Sequence, residues 1–295
     1  MNSRVLTVVL TTTAVVTLAA CAAIGSAQVN SIKVETLKDG LERPWSLNFA
    51  PDGRLLFTQK ASAKLSSLDL KTGAVKVIGT VANIRSDGEG GLMGLELAPD
   101  FEKSKQVFVC YSYFKGPANA ENRRNRISRF TLGETGLEAE KIVFDDMLGW
   151  SNHNGCRIAI GPDANGPDQK LYFTMGDAAN FPPGPIKAQD KNVLAGKTFR
   201  LNLDGSIPSD NPFYQGSSGQ ARATWSTGHR NQQGLAFQPG TGALWSTEHG
   251  WNSKMNSTSS KRARITAGRT ALEPKLTPRP NGCPPMEITH VSVKA

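Results

Sequence analysis

The sequence predicts an all-β chain folded as a β-propeller, and three observations carry that reading. A strand, turn, strand pattern recurs four times, with its turns at Pro51, Pro99, Pro162 and Pro239. The intervals are blade-sized and lengthen along the chain, as when loops on one face grow to build a site. From Gln28 to Glu248 no amphipathic helix of ten or more residues can be written. A plain β-sandwich also suits short strands with regular turns, and stays open at this point.

The chain opens with an export signal. Arg4 supplies the positive end, Val5 to Ala20 the apolar and Thr-rich stretch, and Gly25-Ser26-Ala27 the small residues for cleavage before Gln28. The segment is too short for a membrane span, so the reading is not transmembrane, and the mature protein is expected to be periplasmic or secreted. Leu18-Ala19-Ala20-Cys21 resembles a lipoprotein box, which leaves a lipid anchor at Cys21 as the alternative.

Residues 28–250 form the body. Its repeated units are Leu47 to Thr58, Leu95 to Tyr111, Ile158 to Gly176 and Leu235 to Thr247, each an apolar run, a Pro-containing turn and a strand of large and β-branched residues. Further strands fall at Ala74 to Ile78, where Val75 and Val77 alternate with polar neighbours, and at Ile127 to Leu132. Of the four cysteines, Cys21 lies in the signal, Cys283 in the tail, and Cys110 and Cys156 in the body. There is no CxxC metal spacing, and whether Cys110 and Cys156 meet stays open.

The net charge of +9 over 295 residues invites a nucleic-acid reading. Residues 1–27 hold +1 of it and residues 250–295 hold +6, leaving +2 for the body. No basic patch survives there, and no nucleic-acid partner is expected. Gly90, Gly91 and Gly94 do not make a phosphate loop, since no Lys-Ser/Thr pair follows; they read as turn and close-approach glycines.

A series of short motifs runs through the body in order. They are Leu41-Glu42-Arg43-Pro44-Trp45, Gly88-Glu89-Gly90-Gly91-Leu92-Met93-Gly94, Asn152-His153-Asn154-Gly155 with Gly161-Pro162-Asp163, and Leu171 to Asp177. Gly196-Lys197 through Pro208, Asp210-Asn211-Pro212-Phe213, Gly228-His229-Arg230-Asn231-Gln232-Gln233-Gly234 and Glu248-His249-Gly250 follow. Together they resemble the soluble sugar dehydrogenases that use pyrroloquinoline quinone (PQQ), the glucose/sorbosone dehydrogenase family, over about residues 32–250.

The resemblance implies a six-bladed propeller, of which this chain holds about four blades, with bound PQQ and calcium. It implies oxidation of an aldose sugar to its lactone, with electrons passed to an external acceptor. Removing the hydroxyl proton of a hemiacetal needs a base, and imidazole suits that task near neutral pH. His153 stands at the position that resembles the family's base. Arg230 and Asn231 resemble a clamp for the carboxylates of an anionic cofactor. Glu89 and Asn152 resemble substrate-binding positions, and Gly250 a main-chain ligand of calcium. His229 receives no catalytic role. Some relatives carry a carboxylate where this chain has Asn152 and a Gln where it has Glu89, departures that bear on the orientation of His153 and on sugar preference.

Past Gly250 the resemblance stops. The family pattern continues with an acidic stretch and then NYGWP, whereas residues 251–295 are polar, lack a period and lack Phe and Tyr. The expectation is a disordered tail of non-family sequence. Back-translated and read two bases late, Met255 to Gly268 can encode ELNIIKAGANYGW, which points to a frameshift between about His249 and Met255. On that reading the chain as written binds PQQ poorly and turns over little. The alternatives are a non-catalytic propeller used as a binding scaffold, and a frame-shifted product without function.

Overall fold

Runs rich in Val, Ile, Leu and Phe, cut by turns of Pro, Asp and Gly, pair with their sequence neighbours into antiparallel sheets. The computed structural model describes residues 35–163, 168–179 and 188–250, and the backbone of 255–260. The chain separates into two compact units, Met1–Asp39 and Gly40–Ala295. Of the first only residues 35–39 are described, so the export signal and Cys21 lie outside the described residues, as does Cys283.

The second unit is a succession of sheets. The first comprises β1 (Pro44–Phe49), β2 (Arg54–Gln59), β3 (Lys64–Asp69) and β4 (Val75–Thr80). The second comprises β5 (Leu92–Leu97), β6 (Gln106–Phe114), β7 (Arg123–Leu132) and β8 (Leu137–Leu148), with a single helical turn, α1 (Phe101–Ser104), between β5 and β6. The third comprises β9 (Ile158–Pro162), β10 (Gln169–Met175), β11 (Lys197–Leu201) and β12 (Thr224–Thr227), and the fourth β13 (Gln232–Phe237), β14 (Leu244–His249) and β15 (Met255–Ser260). The leading strands meet in turn, β1 against β5, β5 against β9 and β9 against β13, which is the arrangement of propeller blades. The repeated sequence units are the two leading strands of each blade.

Two strands, β8 and β15, escaped the sequence reading for physical reasons. Strand β8 carries Glu138, Glu140, Lys141, Asp145 and Asp146 on an outer edge, so its apolar signal is diluted. Strand β15 lies inside the segment read as a disordered tail and pairs with β14 from His249↔Met255 to Leu244↔Ser260. Backbone pairing needs no apolar side chains, and Met-Asn-Ser-Thr-Ser-Ser offers little for a pattern search to find. The remainder of 251–295 lies outside the described residues.

The second and third blades are buried on both faces, and strand period decides which core a residue joins. On β6, Val107, Val109 and Tyr111 pack toward the first blade with Leu56, Leu65, Leu92 and Leu95. Phe108 and Cys110 alternate with them and pack toward the third blade with Ile158, Leu171, Phe173 and Phe199. Phe144, Phe173 and Phe199 form a trio with ring centroids 4.9–5.1 Å apart. Each such aromatic contributes about 1.5–3 kcal/mol by burial. Between the third and fourth blades, Tyr172 and Trp225 pack on Leu244, with Leu235 and Phe237 beside them.

Cys110 and Cys156, left open by the sequence, are joined in a disulfide with Cα atoms 5.6 Å apart. The bond spans 46 residues and links the second blade to the start of the third. In the chain-entropy model a closed loop of that length contributes about 4 kcal/mol.

On β5, burial pushes the Glu96 carboxyl up to about 7, an effect that its bond from Leu97 N–H and the charge of Arg157 only partly oppose. A carboxyl whose folded pKa lies above its unfolded one binds more protons in the folded state, so stability falls as pH rises from about 4.5 to 7. Urea denaturation across that window is expected to lose roughly 1–3 kcal/mol to this group. Glu96→Gln should flatten the slope, and an unchanged slope would remove Glu96 as its source.

Candidate active site

Loops that precede β5, β9 and β13, and the chain leaving β10, converge on His153. The turn that carries it is built by Asn154, which is 1% exposed. Its Oδ1 accepts from Trp150 N–H at 3.2 Å and Asn125 Nδ2 at 3.1 Å, while its Nδ2 donates to the Trp150 carbonyl at 2.9 Å. An Asn closing a turn on nearby backbone groups is what this residue type does where the chain needs local hydrogen bonds outside a ladder. The turn is left-handed, with φ of 56° at His153, 59° at Gly155 and 68° at Cys156.

Two carboxylates hold His153. Its backbone N–H donates to Glu89 Oε2 at 2.7 Å, and its Nδ1 lies 2.7 Å from Asp177 Oδ1. The imidazole is 12% exposed and Asp177 25%, so the pair is enclosed yet reachable. With a carboxylate as acceptor, the Nδ1 of a neutral ring carries the hydrogen and Nε2 keeps the lone pair of a base.

Asp177 is itself fixed. Its N–H donates to the Arg230 carbonyl at 2.8 Å, and its Oδ1 also accepts from Ala179 N–H at 2.9 Å. Gly176 before it has no room for a side chain, because a Cβ there would run into the carbonyls of His153 and Arg230. Glu89 donates from its backbone N–H to the Ser151 carbonyl at 2.7 Å, and its carboxylate accepts from Asn231 Nδ2 at 3.2 Å and Gln233 Nε2 at 3.4 Å. Asn231 returns its Oδ1 to Gly155 N–H at 3.1 Å.

Arg230 donates from its backbone N–H to Glu248 Oε2 at 3.2 Å and from Nη1 to the His249 carbonyl at 2.9 Å. His229 is buried, with Nε2 2.7 Å from Ser226 Oγ and Nδ1 3.5 Å from Glu248. Beneath the site, Arg157 stacks over Trp45 with its guanidinium carbon 4.1 Å from the ring centroid. It donates to the Gln233 carbonyl at 2.8 Å and to Ser46 Oγ at 3.2 Å, tying the first, third and fourth blades together.

The structure therefore brings four of the sequence-chosen residues, His153, Glu89, Arg230 and Asn231, into one connected network. Asn152 is exposed beside them, and Gly250 is buried at the end of β14. The Asn231 amide is turned to Glu89 and Gly155 within the scaffold, whereas Arg230 keeps guanidinium N–H groups beyond the one on His249. Sequence reasoning missed Asp177, Gln233 and Glu248. All three sit in motifs that carried the resemblance, but a motif does not say which of its polar side chains turns inward. Among the described residues no group of three or more His, Cys, Asp or Glu side chains could hold a metal ion, and no helix is long and apolar enough to cross a membrane.

Comparison with known proteins bears on this site. The Glucose / Sorbosone dehydrogenase family model matches residues 41–256. Quinoprotein glucose dehydrogenase B of Acinetobacter calcoaceticus is 32% identical over 243 residues, which are 74% of this chain and 48% of that protein. Aldose sugar dehydrogenase YliI of Escherichia coli (strain K12) is 34% identical over 224 residues, 75% of this chain and 57% of that one. The solved PQQ-bound aldose sugar dehydrogenase from Streptomyces coelicolor superposes with a TM-score of 0.68 at 32% identity, covering 80% of this chain and 65% of that one. The chain spans about half the length of the curated relatives it matches.

Proposed function

The chain belongs to the glucose/sorbosone dehydrogenase family, and on that premise we propose that its site binds PQQ and oxidises aldose sugars to lactones, passing the electrons to an external acceptor. The observation that carries the proposal is the His153–Asp177 pair, a base whose ring is oriented by a carboxylate 2.7 Å away. PQQ, when bound, supplies the two-electron acceptor.

The chain's own residues do the rest. His153 Nε2 takes the proton of the anomeric hydroxyl, and Asp177 fixes the tautomer and stabilises the imidazolium that forms. Glu89 anchors the backbone of the base and presents a carboxylate to sugar hydroxyls, with Asn152 at the rim. Arg230 offers its remaining guanidinium N–H groups to a cofactor carboxylate, a pairing of planar donors with planar acceptors. Gly176 lets the backbones of His153 and Arg230 close in beside Asp177, since a Cβ there would meet both carbonyls. Calcium would be held in part by the main-chain oxygen of Gly250, a donor of the kind a hard cation prefers.

The deciding assay is aldose-dependent dye reduction with PQQ and calcium each added and withheld, run on this chain and on a version with the reading frame restored after residue 250. Activity that needs both additions supports the proposal; no activity in either version overturns it. The site is placed in the periplasm or outside the cell, on the reading of residues 1–27 as an export signal. Mass spectrometry of the exported protein is expected to find Gln28 at its terminus, and a lipidated Cys21 would establish the anchored alternative.

A further inference from the structure

We propose that the Cys110–Cys156 disulfide is a positioning device for the catalytic base, holding the left-handed turn of His153 in the shape the site needs. The inference rests on the reading of His153 as the base, and it gives Cys110 and Cys156 a role that the site chemistry alone does not.

The turn adopts a backbone shape that its residues resist. His153 and Cys156 are not glycine, yet have φ of 56° and 68°, in the region where a Cβ crowds the following carbonyl. Such residues persist only where the surroundings over-determine them. Hydrogen bonds hold the near end, with His153 N–H on Glu89 and Gly155 N–H on Asn231. At the far end, Cys156 donates its N–H to the Thr174 carbonyl at 2.8 Å, and its side chain is bonded covalently to Cys110 in the middle of β6.

The anchor is rigid. Cys110 pairs with Ile127 across the β6–β7 ladder, and both cysteines are 0% exposed in the core between the second and third blades. Gly94 of β5 leaves no room for a Cβ against the Cys156 carbonyl, so the backbone of Cys156 is closed in from that side also. Two positions on β6 and β7 thus grip the turn: Cys110 through sulfur and Asn125 through Asn154. Without the disulfide, a non-glycine residue at 156 is free to relax toward negative φ, and the displacement is passed along three residues of chain to His153.

The test compares Cys110→Ala/Cys156→Ala with Cys110→Ala/Cys156→Gly. Both lose the bond, but glycine holds the left-handed shape without strain. Amide exchange read by mass spectrometry is expected to quicken in β6 and β10 of both variants with the shared loss of stability, and in residues 152–157 of the alanine pair about tenfold beyond that, an excess that largely disappears in the glycine pair. In an active preparation kcat should fall about tenfold in the alanine pair with KM for the sugar little altered, and recover in the glycine pair. Exchange at 152–157 of the alanine pair that rises no more than that of β6 and β10 overturns the proposal. So does failure of both variants to fold, which would make the bond a requirement of the fold. The exchange measurement needs no turnover, so a failed sugar-oxidation reading would show in the assay while leaving this result intact.

Discussion

Asp177→Asn is expected to lower kcat for aldose oxidation by about a hundredfold or more while leaving PQQ affinity near the parental value. The carboxylate can only accept, so it selects the ring in which Nδ1 carries the hydrogen and Nε2 is free to take the substrate proton. A carboxamide can turn its NH₂ toward Nδ1 and select the opposite tautomer, whose Nε2 is already protonated and cannot act as a base. It also withdraws the negative charge that stabilises the imidazolium 2.7 Å away. His153→Ala should cost about 10²–10⁴ in kcat, the usual scale of general-base catalysis. Because the two side chains act as one unit, the double variant should be scarcely worse than His153→Ala alone. Turnover in Asp177→Asn equal to that of the parent would show that the pair is structural and that the proton leaves by another route.

A linear pattern carries the strands of a blade but not the contacts that join distant motifs. The leading strands of each blade were legible because an apolar run, a Pro turn and a second apolar run lie within a few residues of one another. Strand β8 was not, since an outer edge tolerates Glu140 and Lys141 and its pairing to β7 is broken by register shifts. His153 and Arg230 were legible through their motifs. Asp177 escaped because its relation to His153 spans 24 residues and two blade strands, and Glu248 because its contact is with a backbone N–H 18 residues away. The disulfide escaped for the same reason: two cysteines 46 residues apart reveal nothing of the blade interface that brings them together.

The same convergence of distant motifs sets the largest stability effect. Arg200 on β11 is 0% exposed, and its guanidinium meets Asp163 from the end of β9 and Asp210 and Asn211 from the following loop. Lys170 Nζ stands 3.4 Å from Asp163 on the other side, and the guanidinium carbon lies 5.1 Å from the Trp225 ring centroid. Gly161-Pro162-Asp163, Arg200-Leu201-Asn202 and Asp210-Asn211-Pro212 were each visible as motifs, and the structure supplies the reason they travel together. Arg200 cannot shed its charge to escape burial, so removing Asp163 leaves a desolvated cation whose remaining counter-ion, Asp210, is half exposed. Asp163→Ala is therefore expected to cost about 2–4 kcal/mol in urea denaturation, below the full cost of an uncompensated charge because Asp210 stays, and still a large part of the 5–15 kcal/mol typical of a whole domain. Arg200→Met added to Asp163→Ala removes the under-compensated charge and keeps the volume over Trp225, and should recover most of that loss. If the double variant is instead as unstable as the sum of the two singles, the cluster stabilises through packing rather than charge, and Asp163 is a spacer in the blade rather than the counter-ion of Arg200.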